Sequence, residues 1–298
     1  MSDKNVDTVT FERFVAQYMD TSTEALVSQA GAIRIYPLSI ASLLIKPPTP
    51  LFRARYNFLL LFQNGGGKQQ VDNEIIDLNP NDILFIREGH LNAIKSIHSG
   101  TEGYYIYIDS PLLSQIFVDR ALLHRLTFYP KHSVPKAVME WLCQCCQLIL
   151  SQSSGNMYFE EIRCALLKAM ILKLAEASAD ALSKPDRQSE ITMLFKELLY
   201  DNFTTNREVK FYADALAVSE NYLNRCVSHI TRKPPKQHIT EMVIVQSKVL
   251  LQNRSKDIAQ VAFDLNFSDP SYFGRLFKRV TRQTPTEYRN SFTQGLSG

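Results

Sequence analysis

The chain has 298 residues, 45% hydrophobic and 21% charged, with a formal net charge of +3. Its length makes two domains the default, and its composition leaves no segment too polar to fold. The opening MSDKNVDTVTFERF has no apolar signal core, and runs such as NFLLLF are too short to span a bilayer. A soluble cytoplasmic protein, with no membrane segment, is therefore expected. Residues 190–298 hold 15 Lys+Arg against 11 Asp+Glu, and the rest of the chain holds 18 against 19. The cationic excess lies in the last third, with the sign of a nucleic-acid contact surface.

The first 28 residues read as a short helix and a lead-in. Between about 30 and 110, IRIYPLSIASLLI, RYNFLLLFQNGGG, KQQVDNEIIDL, DILFIREG and GYYIYID read as short strands separated by turn formers. Five or more such strands point to a small barrel or jelly roll. Strand alternation in FRARYNFLLLF would turn Arg53, Arg55 or Tyr56 inward, and a buried arginine favours a carboxylate ligand. The alternative is that these arginines are solvated. His90, after IREG, either lines the barrel mouth or ends a strand. The region has only His90 and His98 and no His-x-His pair, so no metal site and no metal-dependent catalysis is expected. NGGGK lacks the remainder of a phosphate-binding motif. Neither an enzyme nor a cofactor is expected.

From about 111 to 182 the period becomes helical. Val138, Trp141, Leu142, Cys145, Leu148 and Ile149 share one face, as do Phe159, Ile162, Leu166, Leu167, Met170, Ile171 and Leu174. Such a stripe either packs on the barrel or pairs with its copy in a homodimer. The five cysteines include CQCC in a helical setting with no second ligand pair, which reads as buried small hydrophobes. SADALSKPDRQSE (178–190) is polar and contains Pro185. It places a linker at 183–190 between domains at 1–182 and 191–298.

The last hundred residues contain a repeat. YLNRCVSHITRKPPKQHI (222–239) lies over YFGRLFKRVTRQTPTEYR (272–289) at a constant offset of 50, matching Tyr222 with Tyr272, Arg225 with Arg275 and Pro235 with Pro285. Each copy follows a short helix and a turn, so the unit is a helix-turn-helix used twice. Asn266 suits positive φ, Ser268 or Asp269 can cap the next helix, and Pro270 suits its first turn. Tyr272, Phe273, Leu276 and Phe277 would face inward, leaving Ser271, Gly274, Arg275 and Lys278 outward. In the first copy Tyr222, Leu223 and Cys226 would be buried, and Asn221, Asn224, Arg225 and Ser228 would face out. A helix over 236–252 would hold both units at the spacing of successive major grooves of double-stranded DNA.

On DIAQVAFDLNFSDPSYFGRLFKRVTRQTPTEYR and ADALAVSENYLNR, within about 205–290, the chain resembles the AraC/XylS family of bacterial transcription regulators. The resemblance implies an α+β protein. Its N-terminal part would be a small cupin-like β-barrel with packed helices, serving effector binding and dimerisation. Its C-terminal part would be an all-α domain of two helix-turn-helix units joined by a long helix. Activation, contact with RNA polymerase and a small organic effector are implied the same way; the alternative keeps DNA binding but makes the barrel a ligand-free interaction module. The family's base-reading positions fall on Asn221, Asn224 and Arg225, and on Pro270, Ser271, Gly274 and Arg275. Where this chain has Asn266, Arg232 and Arg282 the family usually has glycine, and Arg takes positive φ less readily than Asn.

Overall fold

The structure is a computed structural model that describes residues 8–18, 31–116, 120–153, 155–178 and 186–294. The described residues form two units, one within 8–178 and the other within 186–294. The first contains β1 (Thr8–Val9), β2 (Ile33–Pro37), β3 (Phe52–Ala54), β4 (Asn57–Asn64), β5 (Gly67–Val71), β6 (Glu74–Leu78), β7 (Asp82–Ile86), β8 (Leu91–Ile97), β9 (Glu102–Ile108) and β10 (Lys131–Ser133). They make two five-stranded sheets, β1-β3-β8-β5-β6 and β10-β7-β4-β9-β2. Every pairing is antiparallel except the parallel one between β1 and β3.

The run Phe58 to Phe62 explains why two layers form. Phe58, Leu60 and Phe62 join Tyr36, Tyr56, Leu84 and Ile86 in the core between the sheets. The alternate residues Leu59 and Leu61 join Ile33, Ile35, Ile83, Phe85, Ile106 and Ile108 in a second core, against helices. A strand covered on both faces reads as an unbroken apolar run. The covering helices include α5 (Lys136–Leu150) and α6 (Phe159–Ala177), which follow α1 (Phe11–Tyr18), α2 (Leu38–Leu44), α3 (Ser110–Ile116) and α4 (Arg120–Phe128).

Several expectations change. IRIYPLSIASLLI is a strand only to Pro37 and then turns helical as α2. Proline offers no N–H for the ladder, and here it closes the strand. β1 and β10 lie outside the expected 30–110 window. Each is only two or three residues long and is defined by its partner rather than by a pattern of its own. On α5 and α6 the buried face is Met139, Leu142, Cys143, Cys146, Ile149, Leu167, Met170, Ile171 and Leu174, whereas Trp141, Leu148 and Ile162 are exposed. Cys143, Cys145, Cys146 and Cys226 are buried, and burial pushes the Cys143 thiol up to about 11. Residues 187–190, expected in the linker, form the first turn of α7 (Arg187–Asn202), capped by the Asp186 side chain on Ser189 N at 2.8 Å. The remainder of that linker, apart from Asp186, lies outside the described residues.

The second unit continues with α8 (Val209–Ala215), α9 (Glu220–Thr231), α10 (Pro235–Gln252), α11 (Ile258–Asp264), α12 (Pro270–Thr281) and α13 (Pro285–Gln294). They share one core, built on Phe195, Tyr212, Leu223, Val227, Val243, Val261, Phe273 and Phe277. No helix among the described residues is long and apolar enough to cross a membrane.

Candidate nucleic-acid interface

The repeat is a repeat of bonds as well as of letters. α9 starts on Ser219, whose hydroxyl accepts from Tyr222 N at 3.2 Å. α12 starts on Asp269, whose carboxylate accepts from Ser271 N at 2.8 Å and Tyr272 N at 3.0 Å. Those backbone bonds, with Arg275 beside it, hold the Asp269 carboxyl below its usual range, so it caps as an anion. Pro270 occupies the first turn, as its fixed φ allows.

Both helices end alike. The Thr231 hydroxyl lies 2.7 Å from Val227 O and 2.9 Å from Lys233 O. The Thr281 hydroxyl lies 2.8 Å from Phe277 O and 2.9 Å from Gln283 O. Arg232 (φ 61) and Arg282 (φ 65) then turn the chain left-handed into Pro235 and Pro285. Arg232 and Arg282 therefore adopt the conformation for which glycine is best suited. A left-handed non-glycine residue costs about 1–2 kcal/mol, part of which glycine gives back as unfolded-state entropy. Arg232→Gly and Arg282→Gly are each expected to stabilise the C-terminal unit by about 0.5–1 kcal/mol in urea unfolding.

The turns inside the two units are not identical. The first passes through Ala217 (φ 53), the second through Asn266 (φ 57), and the second has one more residue before its cap. Ala217 escaped the sequence reading because alanine carries no turn signal. Its position follows only from counting back from the Ser219 cap.

Leu223, Cys226 and Val227 bury one face of α9, and Phe273, Leu276 and Phe277 bury the matching face of α12. Asn221, Arg225, Ser271, Arg275 and Lys278 are exposed, and Asn224, Pro270 and Gly274 are intermediate. The Asn224 amide donates back to Glu220 O at 2.9 Å. Arg225 lies over the Tyr222 ring at 5.0 Å, and Arg275 reaches Asp269 at 3.5 Å. Tyr272, expected inward, is 50% exposed. The core beside it is filled by Phe267 and Phe273, whose ring centroids lie 5.2 Å apart, and Tyr272 packs only on their rim, 6.0 Å from Phe267. Tyr222 is likewise only half-buried.

Gly274 sits mid-helix at a negative φ, and a Cβ there would meet nothing within 4 Å. Gly274→Ala should therefore stabilise α12 by about 0.5–1 kcal/mol, read as a rise in thermal midpoint. The protein itself gives no reason for a glycine at this place.

α10 has 18 residues, so it is about 27 Å long at 1.5 Å per residue. It begins at the exit of one recognition helix and ends just before the second helix-turn-helix. Successive major grooves of B-DNA lie about 34 Å apart.

A helix-turn-helix domain family matches residues 212–291, which takes in most of both units. The transcriptional activator RhaR of Mannheimia succiniciproducens is 24% identical over 86% of this chain and 92% of its own length. The arabinose operon regulatory protein of Escherichia coli is 28% identical over 48% of this chain and 49% of its own length. Residues 212–291 thus belong to an AraC-type helix-turn-helix domain. A solved structure of ToxT from Vibrio cholerae covers 86% of this chain and 97% of its own, at 14% identity and a TM-score of 0.42.

Of the residues expected to meet a ligand, Tyr56 alone lines the cavity between the two sheets. The strand alternation breaks at Arg55-Tyr56, because β3 and β4 belong to different sheets. Phe52 and Ala54 take the interior, so Arg53 turns away and donates to Gly89 O. Arg55 is exposed. His90 Nδ1 pairs with Asp72 at 2.9 Å. The cavity is about 80 Å³, and Phe11, Phe14, Tyr36, Phe58 and Tyr105 supply much of its wall. The buried Tyr36 hydroxyl lies beside Arg34, and the buried Tyr105 hydroxyl beside Tyr56.

Proposed function

We propose that the protein is a cytoplasmic, homodimeric, sequence-specific transcription activator rather than an enzyme. It grips duplex DNA through α9 and α12 in successive major grooves. The carrying observation is the pair of capped helices presenting Arg225 and Arg275 on exposed faces, with α10 as spacer. Asn221, Asn224 and Arg225 read bases through the first helix, and arginine pairs well with guanine. Pro270 and Gly274 have no side-chain donors, so the second helix relies on Ser271, Arg275 and Lys278 and on DNA shape. The bare flank at Gly274 lets the DNA come close. Hydroxyl-radical footprinting on a duplex selected from a random pool should show two protected patches on one face, about 10 base pairs apart. A single patch would refute two-groove docking.

The barrel takes a small effector. Its aromatic wall and the buried Tyr36 and Tyr105 hydroxyls suit an uncharged, largely apolar molecule with one or two polar groups. Short-chain alcohols should stabilise the N-terminal unit, by about 2.7 kcal/mol at a hundred times Kd, and pentoses should not. If no such molecule shifts the melting curve, the barrel is an association module only. The exposed Trp141, Leu148, Ile162 and Leu172 on α5 and α6 favour pairing with a second copy.

A further inference from the structure

α10 joins the two helix-turn-helix units along a single axis, and both pack on the core they share with it. An attachment away from that axis adds resistance to bending and twisting between them. The loop between α7 and α8 supplies one. The Arg207 guanidinium donates to Leu265 O and lies over the Phe267 ring, its Cζ 3.7 Å from the ring centroid. Leu265 and Phe267 flank Asn266 in the turn before α12. The Asn266 amide in turn donates to Thr204 O at 3.1 Å. The same loop is tied to the first unit, because Tyr212 Oη donates to Asn206 O at 2.7 Å. At the start of α10, Lys236 Nζ donates to Arg207 O at 3.0 Å.

We infer that Arg207 and Asn266 are positioning residues that lock the second recognition helix at a fixed angle to the first. The choice of residues fits the role. A planar guanidinium stacks and donates at once, which an ammonium cannot do. Asparagine takes the left-handed turn conformation as glycine does, and adds an amide that reaches the loop. Ala217, at the matching turn of the first unit, has no such group.

Two conservative variants isolate the strut. Asn266→Gly keeps the turn and deletes the amide. Arg207→Lys keeps the charge and deletes the stacked fork. Full-length protein is labelled with bioorthogonal spin probes at the exposed positions 220 and 271, and the distance distribution between them is measured without DNA. Wild type should give one narrow distribution, and each variant should broaden it at least about twofold with helix content unchanged. A width unchanged in both variants overturns the inference. This readout is independent of DNA docking, so it can succeed where the proposed function fails. On selected duplexes with one base pair inserted between the two protected patches, discrimination against the altered spacing should fall about five- to tenfold in the variants. Discrimination equal to wild type also overturns it, and a mere loss of stability would weaken both duplexes alike.

Discussion

Phe277→Ala is expected to lower the melting midpoint of the C-terminal unit by about 10–20 °C and to leave the N-terminal transition in place. Phe277 is fully buried, with its ring 5.9 Å from Phe273 and 5.7 Å from Tyr288. It therefore joins α12 to α13 and to the core built on α10. Truncating a buried phenylalanine costs about 3–5 kcal/mol, because the packed surroundings collapse only partly into the void. That is a large share of the about 5–15 kcal/mol that holds a typical domain folded. Calorimetry of the full chain should show two transitions, of which one moves. If both move together, the units fold as one cooperative block. If neither moves, Phe277 does not anchor the second unit.

Arg225→Ala and Arg275→Ala should each weaken binding to a selected duplex about 5- to 150-fold, the worth of one good arginine–guanine contact. They sit at equivalent positions of two helices and share no partner, so their effects should add in free energy. The ion pair of Arg275 with Asp269 spans 3.5 Å between exposed groups and offers little resistance to release. Lys278→Ala serves as the contrast. A phosphate contact weakens all duplexes about equally and lowers the salt slope by about one. Equilibrium titrations at several salt concentrations separate the two kinds of residue. If Arg225→Ala and Arg275→Ala bind like wild type, the docking face is elsewhere.

The sequence by itself determined the repeated helix-turn-helix plan of the second unit, though not the exposure of Tyr222 and Tyr272 or the turn at Ala217. Its signals are local: a cap acts on an N–H two or three residues ahead, a left-handed residue ends its own helix, and a duplicated motif shows both copies at once. Asn266 and Pro270 thus declared their places without a fold, and the cap was narrowed to Ser268 or Asp269, of which the structure takes Asp269. In the barrel, only the tertiary structure decided which sheet each strand joined. FRARYNFLLLF looks like one alternating strand, yet the break at Arg55-Tyr56 sends its halves to different sheets and turns Arg53 away from the cavity. No residue within that stretch announces the break, since its cause is the pairing of β3 with β8 and of β4 with β7 and β9. Arg207 was silent for the same reason. Its partner carbonyl lies 58 residues away, and a bond across that separation exists only once both units have folded around α10.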